Sequence, residues 1–230
     1  MPKRSCLSAS LSDVRRVVGL GAGGHAKVVI DMLRLLGCYE LVGLLDSERE
    51  LWNTDVLGIP VLGDDGLLPK LWEQGVRHAF IGLGGAGDTE PRRRLYCMAR
   101  KCGMTIVDAI HLSAVVAHSA EIGHGPTILA NAVVNADARL GDNVTINTGA
   151  IVEHECVIGN NVHVATGARL GGGVIVGNGS HIGLGASVRQ DIRIGENAIV
   201  GAGAVVVKDV PDGVVVVGVP ARILAKSLKV

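Results

Sequence analysis

In the stretch NTGAIVEHECVIG, residues 147–159, a histidine stands directly before a carboxylate, His154 then Glu155. Such a pair suits general-base chemistry, because the carboxylate fixes the ring tautomer and stabilises the imidazolium that forms when a proton is taken. A surface histidine without chemical work fits the same spacing. A second set of residues lies near the start of the chain. Gly19, Gly21 and Gly24 fit the pattern G-x-G-x-x-G at the end of an apolar run, and Asp46 closes the next apolar run. Loops of this kind turn backbone N–H groups at a helix N-terminus toward a pyrophosphate, whether of NAD or of a sugar nucleotide. The same glycines also fit a tight turn with no ligand. A second glycine cluster, GLGGAG at 82–87, follows another apolar run, where ligands of open α/β sheets bind.

The elements that must position His154 announce themselves as a repeat. Every sixth residue from Ile110 to Val206 is aliphatic without a break, and the residue four places later is usually small, as at Ala114, Ala132, Ala150, Ala168, Ala186 and Ala204. Hexads of this kind build a parallel β-helix with three flat faces per coil, the aliphatic residue pointing inward and coils stacked about 4.8 Å apart. Eighteen residues complete a coil, so His118, Ala136, His154 and Gly172 share one column, and His163 and His181 another. Gly172, having no side chain, lets a backbone N–H approach an acyl oxygen about 3 Å away, as an oxyanion donor must. Cys156, two places past His154, takes an inward register, which argues against a covalent acyl-cysteine. His154 and His163 lie half a coil apart and cannot meet within one chain. They can meet if chains pack prism against prism in a closed threefold ring, so a homotrimer with sites between subunits is expected.

The first half alternates strand and helix patterns: strands at 15–20, 40–46, 59–62, 78–83 and 105–110, helices at 25–36, 65–74 and 90–102. This predicts a small Rossmann-like parallel sheet flanked by helices, too short to hold both halves of a full dinucleotide fold. The expected fold class is therefore an α/β N-terminal domain followed by a left-handed parallel β-helix, the hand coming from the resemblance given below. The expected organisation is a flexible tail at 1–14, an α/β domain at 15–108, the β-helix at 109–211 and a C-terminal cap at 212–230.

Composition narrows the field. The 22 basic and 22 acidic residues cancel, so no overall field draws the chain to nucleic acid or an anionic membrane. Its two Trp, two Tyr and one Phe all precede residue 110, leaving the coils without rings for base stacking. Five cysteines without C-x-x-C spacing read as reduced thiols of a cytoplasmic protein. The first fourteen residues lack the apolar core of a signal peptide, and no apolar run is long enough for a spanning helix.

The run GLGAGGHAKVV, the strand FIGLGG, the segment NTGAIVEHECVIG and the closing GAGAVVVKDVPDGVVVVGVPAR together resemble the nucleotide-sugar N-acetyltransferases of the left-handed β-helix superfamily, relatives of the sialic acid O-acetyltransferases. The resemblance covers about residues 15–224. It implies acetyl-CoA as co-substrate with no metal, and a nucleotide-linked 4-amino-4,6-dideoxyhexose as acceptor, bound to UDP, GDP or dTDP. It gives His154 the part of catalytic base and Glu155 that of raising its basicity. It places His163 and Gly172 against acetyl-CoA, with Lys208 and Arg222 as candidates for the CoA phosphates. Gly21, Ala22, Gly23, Gly24, His25, Asp46, Ser47 and Gly84 match the region that holds the sugar nucleotide. GAGDTEPRRRLY departs from the family pattern by about three extra residues, which leaves the contacts of Asp88 to Arg94 open. The nearest alternative is O-acetylation of a sialic acid or similar sugar. A zinc enzyme using His163, His181 and a neighbour's His154, an NAD-dependent dehydrogenase and a non-catalytic sugar-nucleotide sensor are further alternatives.

Overall fold

The computed structural model describes residues 14–85 and 87–226, so the tail expected at 1–14 falls almost wholly outside the described residues. The chain divides into two compact units: one comprises the chain up to Gly84 together with Pro91–Ala109, the other Gly85–Glu90 together with the chain from Ile110.

In the first unit, β1 (Arg15–Leu20), α1 (Gly24–Leu36), β2 (Tyr39–Leu45), β3 (Asp55–Val56), β4 (Ile59–Gly63), α2 (Leu68–Glu73), β5 (His78–Ile81), α3 (Glu90–Lys101) and β6 (Thr105–Ile106) follow in order. Six strands form one sheet in the order β3-β4-β2-β1-β5-β6. Its pairings are parallel apart from the β3–β4 hairpin. Strand β3 carries only two residues, too few for an alternating pattern, and the sequence gives no sign of it. Helix α1 buries Ala26, Val29, Ile30 and Leu33 on one stripe, with Met32 beside them, each large aliphatic side chain contributing about 1.5–3 kcal/mol. Gly37 ends the helix with a left-handed φ of 69°, its N–H bonding the Leu33 and Arg34 carbonyls.

The second unit is the left-handed parallel β-helix expected. Its strands run from β7 (Ala109–Ile110) to β23 (Val205–Val206), each two residues long, with the hexad aliphatic in second place. The strand expected over 105–110 is thereby divided: β6 stays in the first sheet and β7 opens the coils. Partners differ by eighteen residues, as in Thr127 to Thr145, Val133 to Ile151 and Arg139 to Val157. The core is Val, Ile, Leu and Ala with Cys156 and no ring, since facing strands leave room only for short side chains. Most corners turn through a residue in the left-handed region, supplied by glycine or by residues such as Asn131, Asn143 and Asn161, whose short polar side chains tolerate it. Strands β24 (Val214–Val217) and β25 (Arg222–Lys226) close one face as an antiparallel pair. Among the described residues no helix is long and apolar enough to cross a membrane.

Candidate active site

His154 and Glu155 occupy the corner between β14 (Ile151–Val152) and β15 (Val157–Ile158). The His154 Nδ1 lies 3.0 Å from Glu155 Oε2, and the side chains are 59% and 70% exposed. An exposed pair adds little stability; its effect is to fix the ring, with Nδ1–H donating to the carboxylate and the Nε2 lone pair free to accept a proton. Glu155 has a φ of 60°. The other side-chain-bearing corners of these coils with positive φ are Asn or Asp (Asn131, Asp137, Asn143, Asn161, Asp191, Asn197), so a longer carboxylate at this one corner is a local departure of the kind that accompanies function.

Gly172 stacks on this column as expected. A Cβ there would sit 2.6 Å from both Cε1 and Nε2 of His154, so only glycine leaves the ring its place. The flanking amides are committed to the coil ladder, Gly171 N–H to the Val188 carbonyl and Gly173 N–H to the His154 carbonyl, both at 2.9 Å. The Gly172 N–H between them has no acceptor among the described residues. Cys156 points inward, fully buried, and donates to the Gly171 carbonyl at 3.2 Å. Burial pushes its thiol up to about 11, so it is no nucleophile at neutral pH.

His163 and His181 pair across β16 (His163–Val164) and β19 (His181–Ile182), with edge-to-face rings 5.0 Å apart. They occupy outward positions yet are 5% and 8% exposed. Gly85 and Thr89 lie over this face: a Cβ on Gly85 would lie 3.3 Å from His163 Nδ1, and Thr89 Oγ1 donates to the Gly179 carbonyl at 2.8 Å. Asn147 Nδ2 lies 3.2 Å from His163 Nε2. Desolvation pushes the His181 imidazole below its ordinary value, a hydrogen bond with the Gly85 backbone acting the other way. Half of the second glycine cluster thus belongs with the coils, which sequence spacing alone did not indicate. Among the described residues no three His, Cys, Asp or Glu side chains converge as a metal site requires. His111, whose role the sequence left open, has its Nδ1 accept from the Ser113 N–H at 3.0 Å and fixes the first turn of the coils.

The first unit gathers the residues expected to hold the sugar nucleotide at the carboxyl ends of β1, β2 and β5. Gly21, with a φ of 102°, bonds its N–H to the Leu45 carbonyl, and Gly82 bonds the Leu20 carbonyl. A Cβ on Gly82 would lie 2.5 Å from the Gly21 carbonyl oxygen, so the two glycine loops cross where only glycines fit. Gly23 caps α1 without a side chain, and the first turn holds no acidic residue. The space around the Gly23 and Gly24 α-carbons is open. The helix start at Gly23 and Gly24 is thus accessible to an anion. Asp46 accepts from the Ala22 N–H at 2.7 Å and from the Glu48 N–H at 2.9 Å, one on each carboxylate oxygen. Its carboxylate therefore clamps the loop. Ser47 is exposed beside it, and Gly84 lies with its absent Cβ 3.9 Å from the His25 Cβ. Lys208 and Arg222 are both exposed, the latter donating to the Ala221 carbonyl at 2.9 Å.

Arg92 is the residue that sequence reading missed. It looks like one of three surface arginines, yet it is buried and donates through Nη1 to the Leu83 and Ile81 carbonyls at 2.9 and 3.2 Å. The signal was its spacing: with Leu95, Tyr96 and Ala99 it falls on one helical stripe.

Comparison with known proteins agrees with both halves. Residues 16–99 match the PglD N-terminal domain, and residues 137–172 match the bacterial transferase hexapeptide (six repeats). PerB from Caulobacter crescentus, solved in complex with CoA and GDP-perosamine, is 45% identical over 94% of this chain and 99% of its own, with a TM-score of 0.85. The acetyltransferase domain of PglB from Neisseria gonorrhoeae, solved with acetyl coenzyme A, is 39% identical over 92% of this chain and 100% of its own, with a TM-score of 0.84. WeeI from Acinetobacter baumannii is 28% identical over 91% of this chain and 100% of its own, with a TM-score of 0.78. No curated protein matches the chain significantly by sequence.

Proposed function

The chain belongs to the nucleotide-sugar N-acetyltransferases of the hexapeptide-repeat superfamily, and from that premise we propose that it transfers acetyl from acetyl-CoA to the amino group of a nucleotide-linked 4-amino-4,6-dideoxyhexose. The observation that carries this reading is the His154–Glu155 pair held against Gly172.

Acetyl-CoA supplies the acyl thioester. His154 Nε2 takes the proton from the sugar amine as its nitrogen bonds to the thioester carbon, and Glu155 holds the imidazolium that results. The Gly172 N–H bonds the oxyanion that develops on the carbonyl oxygen, and the proton on His154 returns to the departing CoA sulfur. Positioning of both substrates supplies much of the remaining rate. His163 completes the acetyl-CoA side, with Lys208 and Arg222 toward the CoA phosphates. Gly21 to His25, Ser47 and Gly84 hold the nucleotide sugar, the N–H groups of α1 receiving its diphosphate. Asp46 speaks against the dehydrogenase alternative, because both of its oxygens serve backbone amides in the loop where such an enzyme needs the carboxylate on the ribose. The working unit is a homotrimer with sites between subunits, which lets the His154 corner of one chain meet the His163 face of the next.

GDP-perosamine, present in the Caulobacter complex, is the first substrate to test. A thiol-release assay with acetyl-CoA against UDP-, GDP- and dTDP-linked amino sugars, with free sialic acid as comparison, decides the reading. Release on an amino-sugar nucleotide is the expected result. Release on sialic acid alone moves the chain to O-acetylation, and silence on the whole panel overturns acyl transfer to sugars.

A further inference from the structure

Strands β4, β2, β1 and β5 lie side by side and parallel, so the turns that follow them open on one edge of the sheet. In folds of this kind a nucleoside runs from the helix start after the first strand over the end of the second, which here leads to β4. The Asp46 N–H donates to the Gly63 carbonyl at 2.8 Å, so the chain leaving β4 passes directly beside the Asp46 turn. Asp64 caps the short helical turn Asp65–Leu67, accepting from the Gly66 N–H at 2.9 Å. Asp65 is half-buried, and its carboxylate accepts from no described residue. Burial, then the Asp64 and Asp46 carboxylates, raise its carboxyl above the ordinary value. The chain supplies no donor to offset this, whereas a ligand with two adjacent N–H groups would. A planar base also needs an apolar ring nearby, and Trp52 is tied to the same turn, its Nε1 donating to the Asp46 carbonyl at 2.8 Å and its ring half-buried. Guanine presents N1–H and N2–H side by side, a fork that a carboxylate meets with both oxygens. Uracil and thymine present one N–H between two carbonyl oxygens, which a carboxylate repels.

We propose that Asp65 selects the nucleotide: its carboxylate accepts both guanine donors, so the chain prefers a GDP-linked sugar to its UDP- and dTDP-linked counterparts. The proposal rests on the reading that the start of α1 receives the diphosphate of a nucleotide sugar. Asp65 then acts on the base and leaves the acetyl transfer itself untouched.

The test is calorimetry on the full-length protein with the nucleoside diphosphates of guanine, hypoxanthine, xanthine and uracil, for wild type, Asp65→Asn and Asp64→Asn. Wild type should bind GDP most tightly. The hypoxanthine nucleotide, which lacks the 2-amino group, should bind about tenfold more weakly, the scale of one charge-assisted hydrogen bond, and UDP more weakly still. Asp65→Asn places a donor where the carboxylate accepts, so it should turn the preference to xanthine, which carries an oxygen in place of that amino group. Asp64→Asn should keep the wild-type order, its loss confined to melting temperature. Equal wild-type affinity for the guanine and hypoxanthine nucleotides, a wild type that prefers UDP, or an Asp65→Asn variant that weakens all four alike overturns the role of Asp65. So does the same switch of preference in Asp64→Asn. Turnover of any amino-sugar nucleotide leaves the acetyltransferase reading in place under each of these results. A wild type that neither turns over an amino-sugar nucleotide nor binds any of the four overturns that reading, and this inference with it.

Discussion

A methyl group at position 172 would stand 2.6 Å from Cε1 and Nε2 of His154, so Gly172→Ala has to move the base, the amide beneath it, or both. Displacing a catalytic group by about 1 Å costs on the order of 10² in rate, and Gly172→Ala should lose at least that in kcat. His154→Ala removes the base and should lower kcat by about 10² to 10⁴. Both variants should melt at the wild-type temperature, because the pair is exposed and the 172 corner faces outward. Steady-state assays beside thermal melts check this. Near-wild-type turnover of His154→Ala would remove it from the mechanism. The pairing of His154 with Glu155, and Gly172 above them, was legible from spacing because eighteen-residue columns are a property of the chain itself. Asp46 was legible as a position but not as a contact: whether its carboxylate meets a ligand or a backbone amide depends on how tightly the loop folds.

At the scale of elements, the face that carries His163 and His181 holds two imidazoles beside Gly85 and Thr89. Burial lowers the pKa of His181 in the folded chain relative to the unfolded one, and that of His78 in the first unit likewise. The sign follows: below an ordinary histidine value of about 6.5 the unfolded chain takes up protons that the folded chain resists, so stability is lost as pH falls through that region. Melting temperature should therefore drop between about pH 7 and 5. His181→Gln, which cannot titrate, should drop less steeply, and equal slopes would show that His181 contributes nothing. The segment responsible was the least readable part of the chain. Periodic elements reported themselves: α1 by its apolar stripe and the coils by their hexads. Gly85–Glu90 has no period, β3 has two residues, and Arg92 hid within a run of three arginines. The segment and Arg92 are fixed by contacts that follow no local period, such as Thr89 with Gly179, and β3 by a two-residue hairpin with β4 that is too short to show one.

At the scale of the molecule the argument turns on how coils present their faces. His154 sits at a corner between β14 and β15, His163 on the strand β16 that follows. If one reaction centre uses both, a closed threefold ring lets each chain give its corner to one neighbour and its face to the other. The mass in solution should then be about 71 kDa, three chains of 23.8 kDa. Subunit mixing is the sharper measurement. His154→Ala and His163→Ala, each expected to lose most activity alone, are co-expressed with different tags and the mixed trimers isolated. A centre drawn from two chains is intact whenever a His163→Ala subunit supplies the base and a His154→Ala subunit supplies the face, which happens at one of the three sites of any mixed trimer, about a third of the sites. Recovery to about that fraction of wild-type turnover places the centre between subunits. No recovery above the parent variants places both histidines' work within one chain, and His163 would then act beneath Gly85 by holding the face together.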